Sequence, residues 1–271
     1  MKLLLNVTSE KELVNLNEKI YGYILSIEDF SINYNYSLTK KQLKETINYL
    51  KKNKKEVIVN INKNIHNNQI DLLKEWLMYI STLNIDYLMY YDIAILNIVN
   101  ELKLNIKLVN CASTYLTNYN IVNFYENQIS GVVLSNEITR EDIKVIKQKT
   151  NAVIYYNVFG YIPMLVTKRK LVSNYLEHIN EYKKDDIYIL DEKIKHDKYP
   201  IIETNGLTVI YNENPINVIE DEVVEYIDYG IINMFNINNT VEDVLSGKVE
   251  SNINFLEKKT IYKVGSKNEK A

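Results

Sequence analysis

The sequence predicts an α/β protein in which strands and helices alternate as in a (β/α) barrel. Short β-branched or leucine-rich runs are each followed by a segment with helical periodicity, and their starts lie about 20–30 residues apart, the length of a βα unit. The runs are apolar on both faces, which favours strands buried on two sides. Seven such units without a break predict a TIM-barrel-like array, complete or incomplete. The runs are Lys2–Asn6, Tyr23–Ile27, Val57–Ile61, Tyr87–Tyr90, Ile106–Asn110, Gly131–Ser135 and Ala152–Asn157.

Capping signals and apolar spacing predict the helices between these strands. A hydroxyl followed three residues later by an acid or amide is typical of a helix start, and it occurs at Ser9 with Glu12, Thr39 with Gln42 and Thr139 with Asp142. A single apolar face predicts a further helix, and its members are Leu72, Leu73, Trp76, Leu77 and Ile80.

The pattern changes after about residue 180. Short strand-like runs appear at Asp186–Leu190, Ile201–Glu203 and Leu207–Tyr211, and Asn205-Gly206 predicts a tight hairpin between the last two. We expect this hairpin region to close the barrel. The predicted organisation is a barrel-like domain over residues 1–180, a hairpin and helix region over 181–257 that completes or caps it, and a polar tail over 258–271.

Composition excludes several classes of protein. Among 271 residues, 32 Lys and Arg against 35 Asp and Glu give a net charge of −3, so no global basic field holds nucleic acid nonspecifically. The single cysteine, Cys111, excludes an internal disulfide and any multi-cysteine zinc or iron–sulfur site, and we expect no cofactor. No apolar run has the length of a signal-peptide core or a membrane span, so we expect a cytoplasmic protein without a membrane partner.

The carboxyl ends of the strands supply the candidate site, because reactive groups of (β/α) barrels lie there. Asp92 and Glu137 are the candidate catalytic residues, as a carboxylate pair. Asp92 and Ser113 equally match the N-caps of the helices that follow them. Polar strand ends and the turn beyond the last strand give the first substrate-binding candidates, Asn60, Asn62, Asn110, Ser113, Thr114 and Gly160.

A basic segment follows the last predicted strand. Gly160 and Pro163 bend the chain, and Lys168, Arg169 and Lys170 then place three cations together. A basic triplet is typically a solvated face, but its position beside a tight turn at the functional end favours binding of an anion or an RNA backbone. We include this triplet, with Asn174 and Tyr175 at the end of the same segment, among the substrate-binding candidates.

The same segment resembles the signature region of the U32 collagenase-like peptidase family, in its short form. The similar stretch runs from Val158 to Leu165 and from Thr167 to Tyr175. Four further motifs are similar to family motifs in order and spacing, at 57–62, 86–92, 110–114 and 132–137. Family members with four cysteines bind a 4Fe–4S cluster, whereas this sequence has Pro163, Met164 and Ser173 in the matching stretch and Asn136 where the family has an arginine.

The resemblance implies two kinds of activity. The family is named for peptide hydrolysis, and several members take part in prephenate-dependent hydroxylation of tRNA uridine. A short chain without cluster cysteines is then expected to be an accessory subunit in tRNA hydroxylation, with a longer cysteine-containing paralogue as partner and tRNA as a further one. The alternatives are a U32-type protease and a non-catalytic barrel scaffold.

Overall fold

The computed structural model describes residues 1–32, 36–194, 196–204, 206–253 and 255–257. Its strands are β1 Lys2–Asn6, β2 Gly22–Ser26, β3 Glu56–Ile61, β4 Tyr87–Tyr90, β5 Leu108–Asn110, β6 Gly131–Val133, β7 Val153–Gly160, β8 Pro163–Thr167, β9 Ile187–Asp191, β10 Lys198–Thr204, β11 Leu207–Tyr211, β12 Ile216–Asn217 and β13 Tyr229–Asn233. Its helices are α1 Lys11–Val14, α2 Lys40–Lys52, α3 Ile70–Ser81, α4 Ile93–Glu101, α5 Tyr119–Tyr125, α6 Arg140–Lys149, α7 Leu171–His178 and α8 Val241–Leu245. Short 3₁₀ helices cover Asn67–Gln69, Ser113–Tyr115 and Glu222–Tyr226.

Eight parallel strands close into a barrel, which confirms the predicted TIM-barrel-like array. Strands β1 to β7 pair in chain order, and β13 lies between β7 and β1 and joins both. The closing strand lies within the region 181–257 that we expect to complete or cap the barrel, but it is none of the strand-like runs identified there. The eighth strand is instead Tyr229–Asn233, which no sequence pattern had indicated.

A second, antiparallel sheet lies over the carboxyl end of the barrel. Its strand order is β8-β11-β10-β9, and the predicted hairpin is present because Thr204 pairs with Leu207, with Asn205 outside the described residues. Tyr211 in this sheet stacks on Phe235, just after β13, with ring centres 4.5 Å apart. Ile32, just after β2, packs against the same cluster, so the small sheet rests on segments that leave the mouth of the barrel.

Strand alternation divides the apolar residues into two cores. On β3, Ile58 points into the lumen, whereas Val57 and Val59 point outward to the helices. Trp76 and Leu77 of α3 are buried in the outer core as predicted. Leu72, predicted on the same face, is 39 % exposed, because it precedes the buried Leu73 on the opposite flank of the helix.

Two of the three predicted capping boxes are present, at Thr39 with Gln42 and at Thr139 with Asp142. The prediction at Ser9 is wrong. Thr8 donates its backbone N–H and its hydroxyl to the Glu12 carboxylate at 2.7 Å each, and α1 begins after Glu10 without a side-chain cap. A cavity of about 570 Å³ lies between the segments of α1 and α8, on the outer side of β1 and β2.

The remaining predictions on organisation concern boundaries. The polar tail 258–271 lies outside the described residues, and the divisions at 180 and 257 remain predictions. Within the described ranges, no helix is both long enough and apolar enough to cross a membrane.

Candidate functional site

The upper layer of the lumen, at the carboxyl end, is polar and uncharged. Ile24, Ile58, Met89, Val109 and Val133 form an apolar layer inside the barrel, and the side chains two residues further along the strands point the same way. This spacing places in the upper layer Asn6, Ser26, Asn60, Tyr91, Cys111, Ser135, Asn157 and Asn233. Amides and hydroxyls in such a layer suit a ligand recognised by neutral hydrogen bonds.

Asn60 and Cys111 meet in this layer. The Cys111 thiol donates to Asn60 Oδ1 at 3.9 Å, a sulfur contact between neighbouring parts of the lumen. Burial raises the pKa of Cys111 to about 12, so the thiol stays protonated at neutral pH and is a poor nucleophile. Its position favours a packing and hydrogen-bonding role.

Two asparagines bridge the ends of β6 and β7. Asn136 Nδ2 donates to the Asn157 carbonyl at 3.0 Å, and Asn157 Nδ2 donates to Asn136 Oδ1 at 2.8 Å. Asn136 stands where the resemblance leads one to expect an arginine, and its amide fixes the rim at this point. The carbonyl oxygen of the Asn6 side chain is buried and has no hydrogen-bond partner among the described residues, so one acceptor of the upper layer is free for a ligand.

The two candidate catalytic carboxylates differ in their surroundings. Asp92 caps α4, with Oδ1 accepting from the Ala94 N–H at 2.9 Å and Oδ2 from the Ile65 N–H at 2.8 Å. Glu137 is exposed, and its backbone N–H donates to Ser135 Oγ at 3.1 Å. The capping alternative for Asp92 is thus confirmed, while a catalytic role for either carboxylate remains a prediction.

The other strand-end candidates hold loops in place. Asn62 Oδ1 accepts from the Ile32 N–H at 2.6 Å, and Asn110, fully buried, accepts from the Ala112 N–H at 2.9 Å. Ser113 begins a 3₁₀ helix without a side-chain cap, and the side chain of Thr114 lies outside the described part of the chain. These asparagines shape the rim, and Asn60 is the member of the predicted asparagine set that faces the lumen.

Gly160 ends β7 with a φ of 117°, a value that side-chain-bearing residues rarely adopt. A Cβ at this position would lie 2.2 Å from the carbonyl oxygen of Asn233, at the end of β13. Gly160 therefore allows the closing strand to approach β7.

The basic triplet lies between the small sheet and α7. Lys168 is half-buried, whereas Arg169, Lys170, Asn174 and Tyr175 are exposed. The start of α7 is fixed by Glu203 of β10, which accepts from the N–H groups of Val172 at 3.1 Å and Ser173 at 3.2 Å. Exposed cations and an exposed aromatic ring within one short segment suit a nucleic-acid strand, which offers phosphates and base faces together.

Lys63 is a residue of this end that the sequence analysis missed. It follows β3 by two residues, is 8 % exposed, and donates from Nζ to the Asp29 carbonyl at 2.9 Å. Burial, followed by the nearby charge of Lys168, lowers the pKa of Lys63. A lysine directly after a strand that ends in two asparagines was the available signal, because that position faces the mouth.

Comparison with known proteins agrees with this architecture. The model of peptidase family U32 matches residues 19–184. The chain is 26 % identical to tRNA hydroxylation protein P2 of Bacillus subtilis over 85 % of its own length and 77 % of that protein. It is 27 % identical to an uncharacterized protease of Methanocaldococcus jannaschii, over 52 % of this chain but 35 % of that one. A solved U32 peptidase structure, 11 % identical, shares the fold with a TM-score of 0.55 over 86 % of this chain and 92 % of that chain. The chain belongs to peptidase family U32.

Proposed function

We propose that this chain is an accessory subunit in the prephenate-dependent hydroxylation of tRNA uridine, acting in the cytoplasm beside a longer, cysteine-containing paralogue. The observation that carries the proposal is the similarity to a protein named for tRNA hydroxylation, which extends over most of both chains. A shared fold alone would not select this activity, since one barrel supports many chemistries.

The division of labour follows from the cysteine content. A 4Fe–4S cluster needs four thiolates, and the sequence has one cysteine, so its residues do not fit the cluster that longer family members bind. Nor do the described residues contain any group of three His, Cys, Asp or Glu side chains placed to hold a metal ion. We therefore assign the redox chemistry to the partner, and the role of this chain is to bind and orient the RNA.

The mouth of the barrel has groups suited to binding RNA. The polar upper layer, with the free acceptor of Asn6 and the amide of Asn60, provides neutral hydrogen bonds for a nucleotide base. The basic triplet with the exposed Tyr175 lies at the same end and provides contacts for the sugar-phosphate backbone. Asp92 and Glu137 are assigned positioning roles, because the first holds the start of α4 and the second borders the upper layer.

The test is deletion of the gene, followed by mass spectrometry of nucleosides from bulk tRNA. Loss of hydroxyuridine, restored by the wild-type gene, is expected, and unchanged hydroxyuridine would rule the proposal out. Affinity purification of the tagged chain tests the proposed partner. The protein expected to copurify is a U32 chain with four cysteines.

The same strains and protein separate the alternatives. Peptide hydrolysis by the purified chain, lost in Asp92→Ala or Glu137→Ala, would favour the protease. The scaffold would be favoured if the paralogue copurified and if RNA affinity stayed the same after the charges of Lys168, Arg169 and Lys170 were removed.

A further inference from the structure

Exposed apolar side chains are concentrated in one part of the molecule, the small antiparallel sheet with its helix α7. Among the described residues, nine of the nineteen large apolar side chains that are exposed lie within residues 164–194. Single exposed apolar residues are ordinary on a protein surface, whereas a concentration of them marks a surface that contacts another molecule. The small sheet is therefore the part of the chain best suited to contact a second chain.

Strand β8 is an open edge of this sheet. It pairs with β11 on one side, and no strand pairs with its other side among the described residues. The residues Pro163–Val166 are all exposed. The outer side of β8 thus has backbone groups without a strand partner, which makes it a template for pairing with another chain.

The two edges of the sheet differ in how they resist such pairing. Natural edge strands are protected by charged side chains, prolines or bulges. The opposite edge, β9, ends at the exposed Asp191, whereas β8 contains no charged residue. In β8 the proline and the bulge both lie at the start of the strand, at Pro163 and Met164. The regular remainder, Leu165–Thr167, has no such protection, and its residues suit a strand.

Charge is distributed unequally along this edge. The basic triplet follows the carboxyl end of β8 directly. At the amino end, the Ile162 carbonyl accepts from the Asn212 N–H at 3.0 Å, and the exposed Glu213 comes next in the loop after β11. An antiparallel strand with the same charge pattern therefore brings a basic end beside an acidic end.

We propose that β8 pairs antiparallel with β8 of a second copy of this chain, around a twofold axis at Val166, the middle of Leu165–Thr167. Identical strands paired around such an axis are antiparallel, so the contact closes as a dimer. The two small sheets join into one sheet of eight strands, four from each copy.

This arrangement matches the charges of the two copies. The basic triplet of each copy lies beside the uncharged start of the other β8, with Glu213 of that copy one strand further. The two triplets are about 20 Å apart along the strands, which exceeds the screening length of about 8 Å at physiological salt. Repulsion between them is therefore weak.

The first measurement is the oligomeric state of the purified full-length chain, by size-exclusion chromatography with light scattering. A dimer is expected at micromolar concentration, and a monomer throughout the micromolar range would overturn the proposal. Assemblies that grow beyond the dimer with concentration would also overturn it, because they indicate an open head-to-tail contact between β8 and β9.

Val166→Lys places two like charges opposite each other at the axis and is expected to weaken the dimer at least about tenfold. The matched control is Ile189→Lys on β9, since Ile189 is 54 % exposed and Val166 is 42 % exposed. The control should remain a dimer, and dissociation by Ile189→Lys but not by Val166→Lys would overturn the assignment to β8.

A charge exchange tests the position of the axis. Val166→Glu alone is expected to weaken the dimer as Val166→Lys does, but an equimolar mixture of the two variants should recover a one-to-one dimer. Absence of recovery, with both variants folded by circular dichroism, would overturn an axis at Val166.

Glu213→Lys tests the charge matching without altering the strand, and it remains informative if the Val166 variants do not fold. It is expected to weaken the dimer about threefold at low salt, and the effect should vanish at high salt. Unchanged affinity at low salt would overturn the matching of the two ends.

The inference does not depend on the proposed function, since the dimer is measured on the purified chain without RNA. A chain that is monomeric alone, but whose copurification with a paralogue is lost in Val166→Lys, would overturn the second copy as the occupant of this edge. Unchanged hydroxyuridine in the deletion strain would remove the proposed function and leave the dimer unaffected.

Discussion

Arg140, the first residue of α6, holds the carboxylate of Asp221 through two hydrogen bonds, Nε to Oδ1 at 3.1 Å and Nη2 to Oδ2 at 2.8 Å. Asp221 also caps the 3₁₀ helix that precedes β13, accepting from the Val223 N–H at 2.9 Å. The pair therefore fixes the returning chain to the helix layer just before that chain supplies the closing strand. Its side chains are 22 % and 9 % exposed, so solvent screens the interaction only in part.

We expect Asp221→Asn to lower the free energy of unfolding by roughly 1–3 kcal/mol at pH 7. The hydrogen bonds from Arg140 lower the pKa of Asp221, so this stabilisation is present above the pKa of the unfolded chain and is lost as the pH falls through the folded value. The difference between variant and wild type should shrink below about pH 4. Urea unfolding at pH 7 and pH 3 measures this difference in the free energy of unfolding. Glu222→Gln is the control, because Glu222 also faces Arg140 but is 72 % exposed; an equal loss there would contradict the prediction.

Glu56→Gln is expected to stabilise the protein at neutral pH. Burial, and then the charge of Asp86, raises the pKa of Glu56 at the amino-terminal end of the lumen, where its Oε1 has no hydrogen-bond partner among the described residues. A raised carboxyl pKa means that the ionised form is the destabilising one, and this penalty disappears as the pH falls through the raised value. Glutamine still accepts from the Tyr229 hydroxyl, now 3.2 Å away. Unfolding curves across the acid range test this against Glu45→Gln on exposed α2; lower stability of Glu56→Gln at pH 7 would disprove it.

Gly160→Ala and Gly206→Ala form a matched pair. Both glycines have positive φ, 117° and 73°, but a Cβ on Gly160 would meet the Asn233 carbonyl at 2.2 Å, whereas a Cβ on Gly206 meets nothing within 4 Å. We expect Gly206→Ala to cost about 1 kcal/mol from the backbone alone. Gly160→Ala should cost at least about 2 kcal/mol more, because β7 and β13 must separate. Denaturant midpoints measure the loss of stability in each variant. Equal losses would show that β7 and β13 can move apart at little cost.

Removing the charge of the basic triplet should weaken RNA binding. Substituting Lys168, Arg169 and Lys170 by glutamine is expected to lower tRNA affinity at least about tenfold near 100 mM salt and to reduce the salt slope by about 2. A charge-matched control removes Lys52, Lys54 and Lys103, all exposed near the amino-terminal end of the barrel. Filter binding or fluorescence anisotropy at several salt concentrations measures the tRNA affinity and its salt slope. Equal losses in both triple variants would mean that total charge, and not this surface, binds the RNA.

Much of the barrel was predictable because its signals are local. Apolar runs such as Val57–Ile61 are buried on both faces, and the hydroxyl–amide pair at Thr39 and Gln42 forms its cap within four residues. Thr8, and not the predicted cap Ser9, donates hydrogen bonds to the Glu12 carboxylate. The sequence pattern does not show which of two neighbouring hydroxyl residues will do so. Strand β13 was missed because Tyr229–Asn233 is short, contains Gly230 and follows an acidic segment, so only its two partner strands reveal it.

The candidate site was less accessible, since it depends on which way each strand-end side chain points. Asn60 faces the lumen, whereas Asn62 and Asn110 turn to the loops, although all three look alike in the sequence. The position of Lys63 after the asparagines at the end of β3 was the one signal for it in the sequence, and that signal does not show that the side chain is buried. Its burial and its hydrogen bond to the Asp29 carbonyl depend on the folded loop after β2.

The late position of β13 has a consequence for biosynthesis. Seven strands leave the ribosome in order, yet β1 and β7 stay without a common neighbour until residue 233 has emerged, after the whole small sheet has been made. During that interval the unpaired edges of β1 and β7 are open to pairing with other chains. A messenger truncated after the signature segment would yield a chain in which β1 keeps its pairing with β2 but lacks a partner on its other edge.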